Sequence, residues 1–186
     1  MTGVQTCALP IYNYQGGYLA AEHLLSRGHR SIAWLGPVAQ SSFSRERLGG
    51  AAGALAAAGL PTVLDPVVDT VGRDLEEAAL ELLSRPDRPK AVLALWTDVA
   101  LALAAAAHKL GLVLGHDLDV VGWALEAHLE KYRPTFAGGP VPPMVVWKVE
   151  DLARAAVARL AERRADPEMP AMRIAVGTRL VKGDAT

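Results

Sequence analysis

The chain has 186 residues, of which 51% are hydrophobic and 21% are charged, and its formal net charge is −1. This length suits one sizeable domain or one and a fraction, and the composition is that of a folded chain, not of a disordered one. The charge balance gives no reason to expect a nucleic-acid or anionic-membrane surface. No apolar run is long enough to cross a bilayer, so we expect no membrane partner.

The first eleven residues, MTGVQTCALPI, differ in character from the rest. They lack the basic start and the apolar core of a signal peptide and resemble the translation of a sequencing-library adaptor. We therefore hypothesise that residues 1–11 are non-native and that they are joined to a truncated reading frame. The single cysteine, Cys7, lies in this segment. The remainder has no thiol or disulfide chemistry, which is compatible with the cytoplasmic location that we predict.

From residue 12 onward, amphipathic helical patterns alternate with short apolar runs. The patterns predict a first helix near 14–27, a second closed by Gly59, a third ended by Pro86, and a fourth that begins at Asp98 and ends at Gly111. Strands are predicted at 31–35, 63–68, 91–95 and 118–121. Prolines and glycines then mark 133–143 as a connector, followed by a helix near 148–164 and a last strand near 174–181.

This alternation predicts an α/β fold, a Rossmann-like doubly wound parallel sheet with helices on both faces. In such sheets ligands bind outside the carboxyl ends of the strands. The residues that follow the predicted strands offer hydroxyls, guanidinium donors, a carboxylate and the two indoles of Trp96 and Trp123, which suit a polar organic ligand with a flat or sugar-like face. The predicted ligand-binding residues are Ser41, Ser42, Arg47, Thr97, Asp98 and Trp123.

Each of these residues also has a purely structural interpretation. Arg47 could pair on a helix surface, Asp98 could serve only as the N-cap of its helix, and Trp123 could be a core residue. Two further tryptophans are given structural roles only. Trp34 lies inside a strand and is predicted in the core, and Trp147 is predicted to open a helix and to contribute packing.

Signatures of catalysis are missing from the sequence. The five histidines lack metal-ligand spacing, and neither a Gly-x-Ser-x-Gly elbow nor a phosphate-binding loop occurs. Gly49, Gly50 and Gly53 fall within the second helix and not at a strand-to-helix turn, so a dinucleotide site is not expected. We expect no enzyme activity, no metal and no cofactor.

Several short segments share their order and spacing with one family. They are NYQGGY at 13–18, AEHL at 21–24, GHR at 28–30, IAWLGP at 32–37, RLGG at 47–50, TD at 97–98 and DLDVVGW at 117–123. Together they resemble the LacI/GalR family of transcriptional repressors over residues 12 to about 182. The resemblance implies a periplasmic-binding-protein-like type I core, in which an effector binds between two Rossmann-like subdomains.

The resemblance also implies a division of the chain into one complete subdomain and the remnants of a second. Residues 29–127 would form the C-subdomain and residues 172–186 its return strand and tail. Residues 12–28 would be a helix of a truncated N-subdomain, and residues 128–171 a crossover with a second N-subdomain helix. The helix-turn-helix, the hinge and most of the N-subdomain would be missing, so the apolar faces of both helices are expected to be open.

For function, the resemblance implies a sensor of a small-molecule effector, a sugar, nucleoside or similar polar metabolite. Arg47 matches an arginine that anchors ligand hydroxyls or carboxylates through its fork of donors. The full-length protein would be a homodimer that contacts operator DNA only through its missing N-terminal domain. Effector binding would bias the two subdomains between two orientations.

The chain departs from the family pattern at three positions. Thr97 precedes Asp98 where the family has asparagine, Ala124 replaces an aspartate, and Tyr12 replaces another aspartate, which we attribute to the adaptor junction. The carboxylate lost at position 124 argues against a simple sugar ligand. Two alternatives remain for the function: a periplasmic sugar- or solute-binding protein of a transporter, and a small Rossmann-type enzyme.

Overall fold

The computed structural model describes residues 12–38, 41–133, 136 and 139–184; the adaptor-like segment 1–11 lies outside this part of the chain. The helices are α1 (Asn13–Ser26), α2 (Ser42–Ala57), α3 (Leu75–Leu83), α4 (Thr97–Lys109), the one-turn α5 (Leu129–Tyr132), which follows a 3₁₀ turn at Glu126–His128, and α6 (Val149–Ala165). The strands are β1 (Ala33–Leu35), β2 (Val67–Val68), β3 (Ala91–Ala94), β4 (Asp119–Leu125), β5 (Met144–Trp147) and β6 (Arg179–Val181).

The strands form one sheet in the order β2-β1-β3-β4-β5-β6. Neighbours from β2 to β5 are parallel, and β6 alone pairs antiparallel, with β5. The predicted α/β architecture is confirmed, but a wholly parallel sheet is wrong at this edge. Between α6 and β6 the chain runs through residues 166–178 without a further helix or named strand, and β6 then enters the sheet antiparallel to β5.

Alternate side chains of the central strands enter two separate cores, as the period of a strand requires. Trp34 and Leu93 face a core shared with α1 and α2. Leu35 and Val92 face the opposite core, which α3 and α4 cover. The sheet is therefore buried on both faces, which explains why its strands are continuous apolar runs. The prediction that Trp34 is a core residue is confirmed, since it is fully buried.

Helix α1, which the sequence interpretation assigned to a truncated N-subdomain, packs against α2 and the sheet. Its side chains Ala20, Ala21 and Leu24 are fully buried in the core between α2 and the sheet. Glycines allow the close approach: a Cβ on Gly17 would lie 1.9 Å from the carbonyl oxygen of Arg47. The expectation of an open apolar face on this helix is wrong, because α2 supplies its partner.

Helix α6 fits the expectation of an open face. Within the described part of the chain, Arg159 is its one buried residue, and Val157 and Leu160 are 68% and 72% exposed. The Arg159 guanidinium donates to the Pro170 carbonyl at 2.7 Å and holds the following loop against the helix. The apolar stripe of α6 is thus left in water.

Candidate ligand-binding site

Three neighbouring parallel strands each place a tryptophan at the same edge of the sheet. Trp96 follows β3 by two residues, Trp123 lies in the second half of β4, and Trp147 ends β5. All three line one hollow of about 480 Å³, a volume within the range of small-molecule sites. The other lining residues are Thr97, Asp98, Leu101, Ala124, Leu125, His128 and Tyr132.

Arg47 lies directly behind this wall. The carbon at the centre of its guanidinium is 4.6 Å from the ring centre of Trp96, 5.4 Å from that of Trp123 and 5.6 Å from that of Trp147. The residue is 1% exposed, so the interpretation that it pairs on a helix surface is wrong. Helix α2 in fact begins at Ser42, so Arg47 lies in its second turn, on the face that packs against α1.

A chain of polar contacts orients Arg47. Its Nε donates to the side-chain oxygen of Asn13 at 3.0 Å. The Asn13 amide nitrogen in turn donates to Glu46 at 3.2 Å, and Glu46 also accepts from Arg173 at 2.6 Å. Asn13 thus accepts from the Nε of Arg47, and the two terminal nitrogens of the guanidinium need other acceptors.

Those terminal nitrogens, Nη1 and Nη2, are buried and have no hydrogen-bond partner among the described residues. Burial lowers the pKa of Arg47 to about 9, against a raising effect of Glu46, and the group stays protonated at neutral pH. A buried cation without a carboxylate costs on the order of several kcal/mol. Each indole face returns about 0.5–2 kcal/mol, so aromatic contacts alone do not satisfy its donors. The Trp123 indole Nε1 is likewise buried and unpartnered.

The backbone at Trp96 is strained. Its φ of 79° and ψ of 157° fall in a region that is almost exclusive to glycine. Phe43 packs edge-on against its indole, with ring centres 6.1 Å apart, and is itself 44% exposed. Trp96 thus covers Arg47 from a conformation that costs about 1–3 kcal/mol.

Thr97 and Asp98 lie at the start of α4 and line the hollow. The Thr97 hydroxyl donates to the carbonyl oxygen of Trp123 at 2.9 Å, which ties the helix to β4. Asp98 is exposed at the rim, and its carboxylate accepts from the Val99 amide at 3.0 Å. The idea that Asp98 is the N-cap is wrong, because that position is occupied by Trp96.

The structure does not bring the two serines into the hollow. Ser41 is the N-cap of α2, where its hydroxyl accepts from the Ser44 amide at 3.2 Å. Ser42 is the exposed first residue of that helix. A serine followed by a helical pattern signals a cap, and this alternative was missed because the helix was predicted to begin later.

Sequence reasoning also missed part of the wall. Trp147 ends a strand and does not open a helix; β5 escaped notice because it follows the proline-rich connector immediately. His128 and Tyr132 reach the hollow from a 3₁₀ turn and a helix of only four residues, which are too short to leave a periodic pattern. The aromatic signals that the sequence offered for this wall were Trp96 and Trp123, which follow the predicted strands at 91–95 and 118–121.

A metal-binding cluster and a membrane-spanning helix are both absent from the described residues. Among them, no group of three or more histidine, cysteine or acidic side chains could hold a metal ion. None of the helices in the described ranges is long and apolar enough to cross a membrane.

The fold is similar to that of regulatory proteins of the LacI family. A LacI-family regulatory protein from Chloroflexus aggregans matches all of this chain and 65% of its own, with a TM-score of 0.81 and 24% identity. A LacI-family transcriptional regulator from Enterococcus faecium, solved with bound ribose, matches all of this chain and 67% of its own, with a TM-score of 0.76 and 21% identity. At these identities the likeness shows the fold, that of a periplasmic-binding-protein-like effector domain.

The chain belongs to the periplasmic binding protein-like domain family, whose model matches residues 21–186. A curated relative, the HTH-type transcriptional repressor PurR of Photorhabdus laumondii, is 29% identical over 172 residues, which cover 91% of this chain and 48% of that protein. PurR of Photobacterium profundum is 32% identical over 114 residues, 59% of this chain and 33% of that protein. These matches confirm the resemblance to the effector-binding core of LacI-type repressors. The chain spans between a third and about half of the length of these relatives.

Proposed function

We propose that this chain is the effector-sensing part of a LacI-type transcriptional regulator and that the hollow at the tryptophan wall is half of its ligand site. The observation that carries the proposal is the convergence of three indoles on one buried guanidinium, whose terminal donors find no partner in the part of the chain that the structure describes. A buried donor without an acceptor is costly in a folded protein, and a ligand at this wall would supply the acceptor.

The residues proposed to contact or support the ligand are fewer than the sequence suggested. Trp123, Thr97 and Asp98 line the hollow, and Arg47 supports its wall. For Ser41 and Ser42 we propose no direct contact, since one caps α2 and the other faces solvent. Trp96 and Trp147 are added as aromatic contacts.

We propose binding without turnover. In the longer protein the effector would favour one of two orientations of the subdomains, and it can do so only if it binds them unequally. A second copy of the protein and operator DNA are partners proposed for the longer protein, the DNA through a segment other than this one. A cytoplasmic location remains a prediction.

Ligand screening by thermal shift tests this function. A ligand that binds only the folded chain raises its melting temperature with concentration, and we expect this from at least one member of a panel of sugars, nucleosides and organic acids. Leu101→Trp should abolish the shift because Leu101 lines the hollow. Leu110→Trp is the matched control, since Leu110 is 40% exposed at the other end of α4.

The outcome that would contradict the proposal is equally specific. A shift that survives Leu101→Trp would place the ligand elsewhere. The recovered ligand is analysed by chromatography. A chemical change in it would contradict binding without turnover.

A further inference from the structure

The charge of Arg47 has no counter-ion of its own. The neighbouring carboxylate, Glu46, is occupied by Asn13 and Arg173, and Asn13, which accepts from the Nε of Arg47, is neutral. Within the described ranges of the chain, the two terminal nitrogens have no acceptor. The three tryptophans that surround the guanidinium also line the hollow.

For ligand hydroxyls the wall offers His128 and Tyr132 but few other polar groups. The Thr97 hydroxyl is already donated to the Trp123 carbonyl. Position 124, beside Trp123, is an alanine and provides no carboxylate. Among the described residues, Asp98 is the one acidic residue of the lining, and its side chain is exposed.

The remaining surface is aromatic. Trp96, Trp123, Trp147 and Tyr132 are among the residues that line the hollow, and aromatic rings favour flat partners in offset or edge-on contact. A guanidinium fork matches a planar carboxylate with two parallel hydrogen bonds. The two preferences are compatible in one molecule that is flat and negatively charged at one end.

We infer that the site takes a planar organic anion, with its carboxylate on the terminal nitrogens of Arg47 and its ring among the indoles. The inference rests on the proposed function and names the class of ligand. The anionic end points inward to Arg47, and the opposite end points towards Asp98, where an anion would be repelled. A neutral sugar would leave the charge of Arg47 without a counter-ion.

Trp96 must move for the carboxylate to reach Arg47, because Arg47 is 1% exposed. The Trp96 indole is the nearest of the three to the guanidinium, with its ring centre at 4.6 Å. It is also the residue whose backbone is strained, at φ 79°, and it is only partly buried. When the ligand binds, its carboxylate replaces the Trp96 ring over Arg47 and forms a charged, hydrogen-bonded pair with the guanidinium. The backbone strain at Trp96 can then be relieved.

A pair of probes that differ only in charge tests the inference on the unmodified chain. The dissociation constants of 2-naphthoate and of its neutral amide, 2-naphthamide, are measured by isothermal titration calorimetry, with ribose as a third compound. We expect 2-naphthoate to bind at least 10-fold more tightly than 2-naphthamide, and ribose to bind more weakly than both. This comparison needs no variant, so a folding defect cannot obscure it.

Variants then locate the source of the preference. Arg47→Met keeps the apolar stem of the side chain and removes the fork, so the two naphthalene probes should bind with equal affinity. Arg45→Met removes an exposed arginine two residues away on the same helix and should keep the preference. A preference for 2-naphthoate that persists in Arg47→Met would overturn the assignment to Arg47.

Different experimental outcomes would disprove the proposed ligand class and the proposed ligand site. If 2-naphthamide or ribose binds as tightly as 2-naphthoate, and Leu101→Trp abolishes that binding, the anionic class is wrong and the ligand site stands. If none of the three compounds binds, the inference is also overturned. The proposed function is then decided separately by the thermal-shift panel with its own Leu101→Trp and Leu110→Trp pair.

Discussion

Helices α1 and α6 come from regions that the sequence interpretation treated alike, and they end in opposite environments. Leu24 of α1 is fully buried, whereas Leu160 of α6 is 72% exposed. α1 packs against α2 and against the sheet, whereas α6 buries only Arg159 within the described residues. The comparison shows that an apolar stripe predicts a helix that needs a partner, but not whether or where the chain provides one.

Glycine makes the difference at α1. A Cβ on Gly17 would lie 1.9 Å from the Arg47 carbonyl oxygen, and a Cβ on Gly50 would lie 1.9 Å from the Tyr14 carbonyl oxygen. The two backbones are therefore in direct contact. This approach also brings Asn13, one turn before Gly17, to within hydrogen-bond distance of Arg47. The packing of α1 thus helps to build the candidate site.

The largest effect on this comparison is expected from Gly17→Ala. The new methyl group would collide with backbone and not with a flexible side chain, so we expect the free energy of unfolding to fall by more than about 3 kcal/mol. Gly49→Ala is the matched control, because its Cβ would lie 3.9 Å from the Tyr14 ring. It should stabilise the helix by about 0.5–1 kcal/mol. Urea denaturation measures both, and equal stabilities for the two variants would contradict the packing.

A pair of leucine truncations compares the two helices directly. Leu24→Ala should lower the free energy of unfolding by about 2–4 kcal/mol, because it leaves a cavity in a closed core. Leu160→Ala should change it by less than about 0.5 kcal/mol, since the side chain is already in water. Chemical denaturation of both variants is the measurement. A large loss for Leu160→Ala would mean that α6 is packed after all.

A smaller effect is expected from pH, through His23 of α1. Burial lowers the pKa of His23, with Arg27 acting in the same direction and Asp119 opposing. The folded chain therefore favours the neutral ring, so the contribution of His23 to stability is fully present above its ordinary pKa of 6.5. It is lost as the pH falls below that value towards the lowered pKa.

His23→Leu should flatten this part of the stability profile. We expect the urea midpoint of the unmodified chain to fall between pH 7.5 and pH 5 more steeply than that of the variant. Parallel profiles for the two proteins would show that protonation of His23 is not resisted by the fold.

The smallest effect on stability, but a measurable one on association, is expected from charge on α6. The double variant Val157→Glu with Leu160→Glu should leave the unfolding free energy within about 0.5 kcal/mol and should reduce concentration-dependent self-association, because it removes an exposed apolar stripe. The control, Val63→Glu with Val113→Glu, adds the same charge at positions that are 69% and 52% exposed. It should leave self-association unchanged. Light scattering across a concentration series decides this, and a wild-type chain that stays monomeric throughout would contradict it.

The sequence predicted most of the fold because buried strands and amphipathic helices leave periodic patterns. β3 and β4 were found because each is a short apolar run after a turn. β5 was missed because its four residues lie between a proline-rich connector and a helix, where no period can be recognised. Strand direction at the β6 edge was also out of reach, since the local pattern of a strand is the same in both directions.

The candidate site was predicted in part. The rule that ligands bind at the carboxyl ends of parallel strands selected Trp123, Thr97 and Asp98, and all three line the hollow. It misplaced Ser41 and Ser42, because the rule identifies a loop and not the residues within it that turn inward. It also gave no hint that Arg47 would be buried behind three indoles.

The order of residues by itself determined the α/β class, the helices and the edge of the sheet at which polar and aromatic groups gather, because these depend on spacing along the chain. The tertiary structure alone decided that α1 finds a partner and α6 does not, and that Arg47 is a buried cation without a counter-ion. Both depend on which surfaces meet across more than thirty residues of chain, as Asn13 and Arg47 do, and no local pattern encodes that distance.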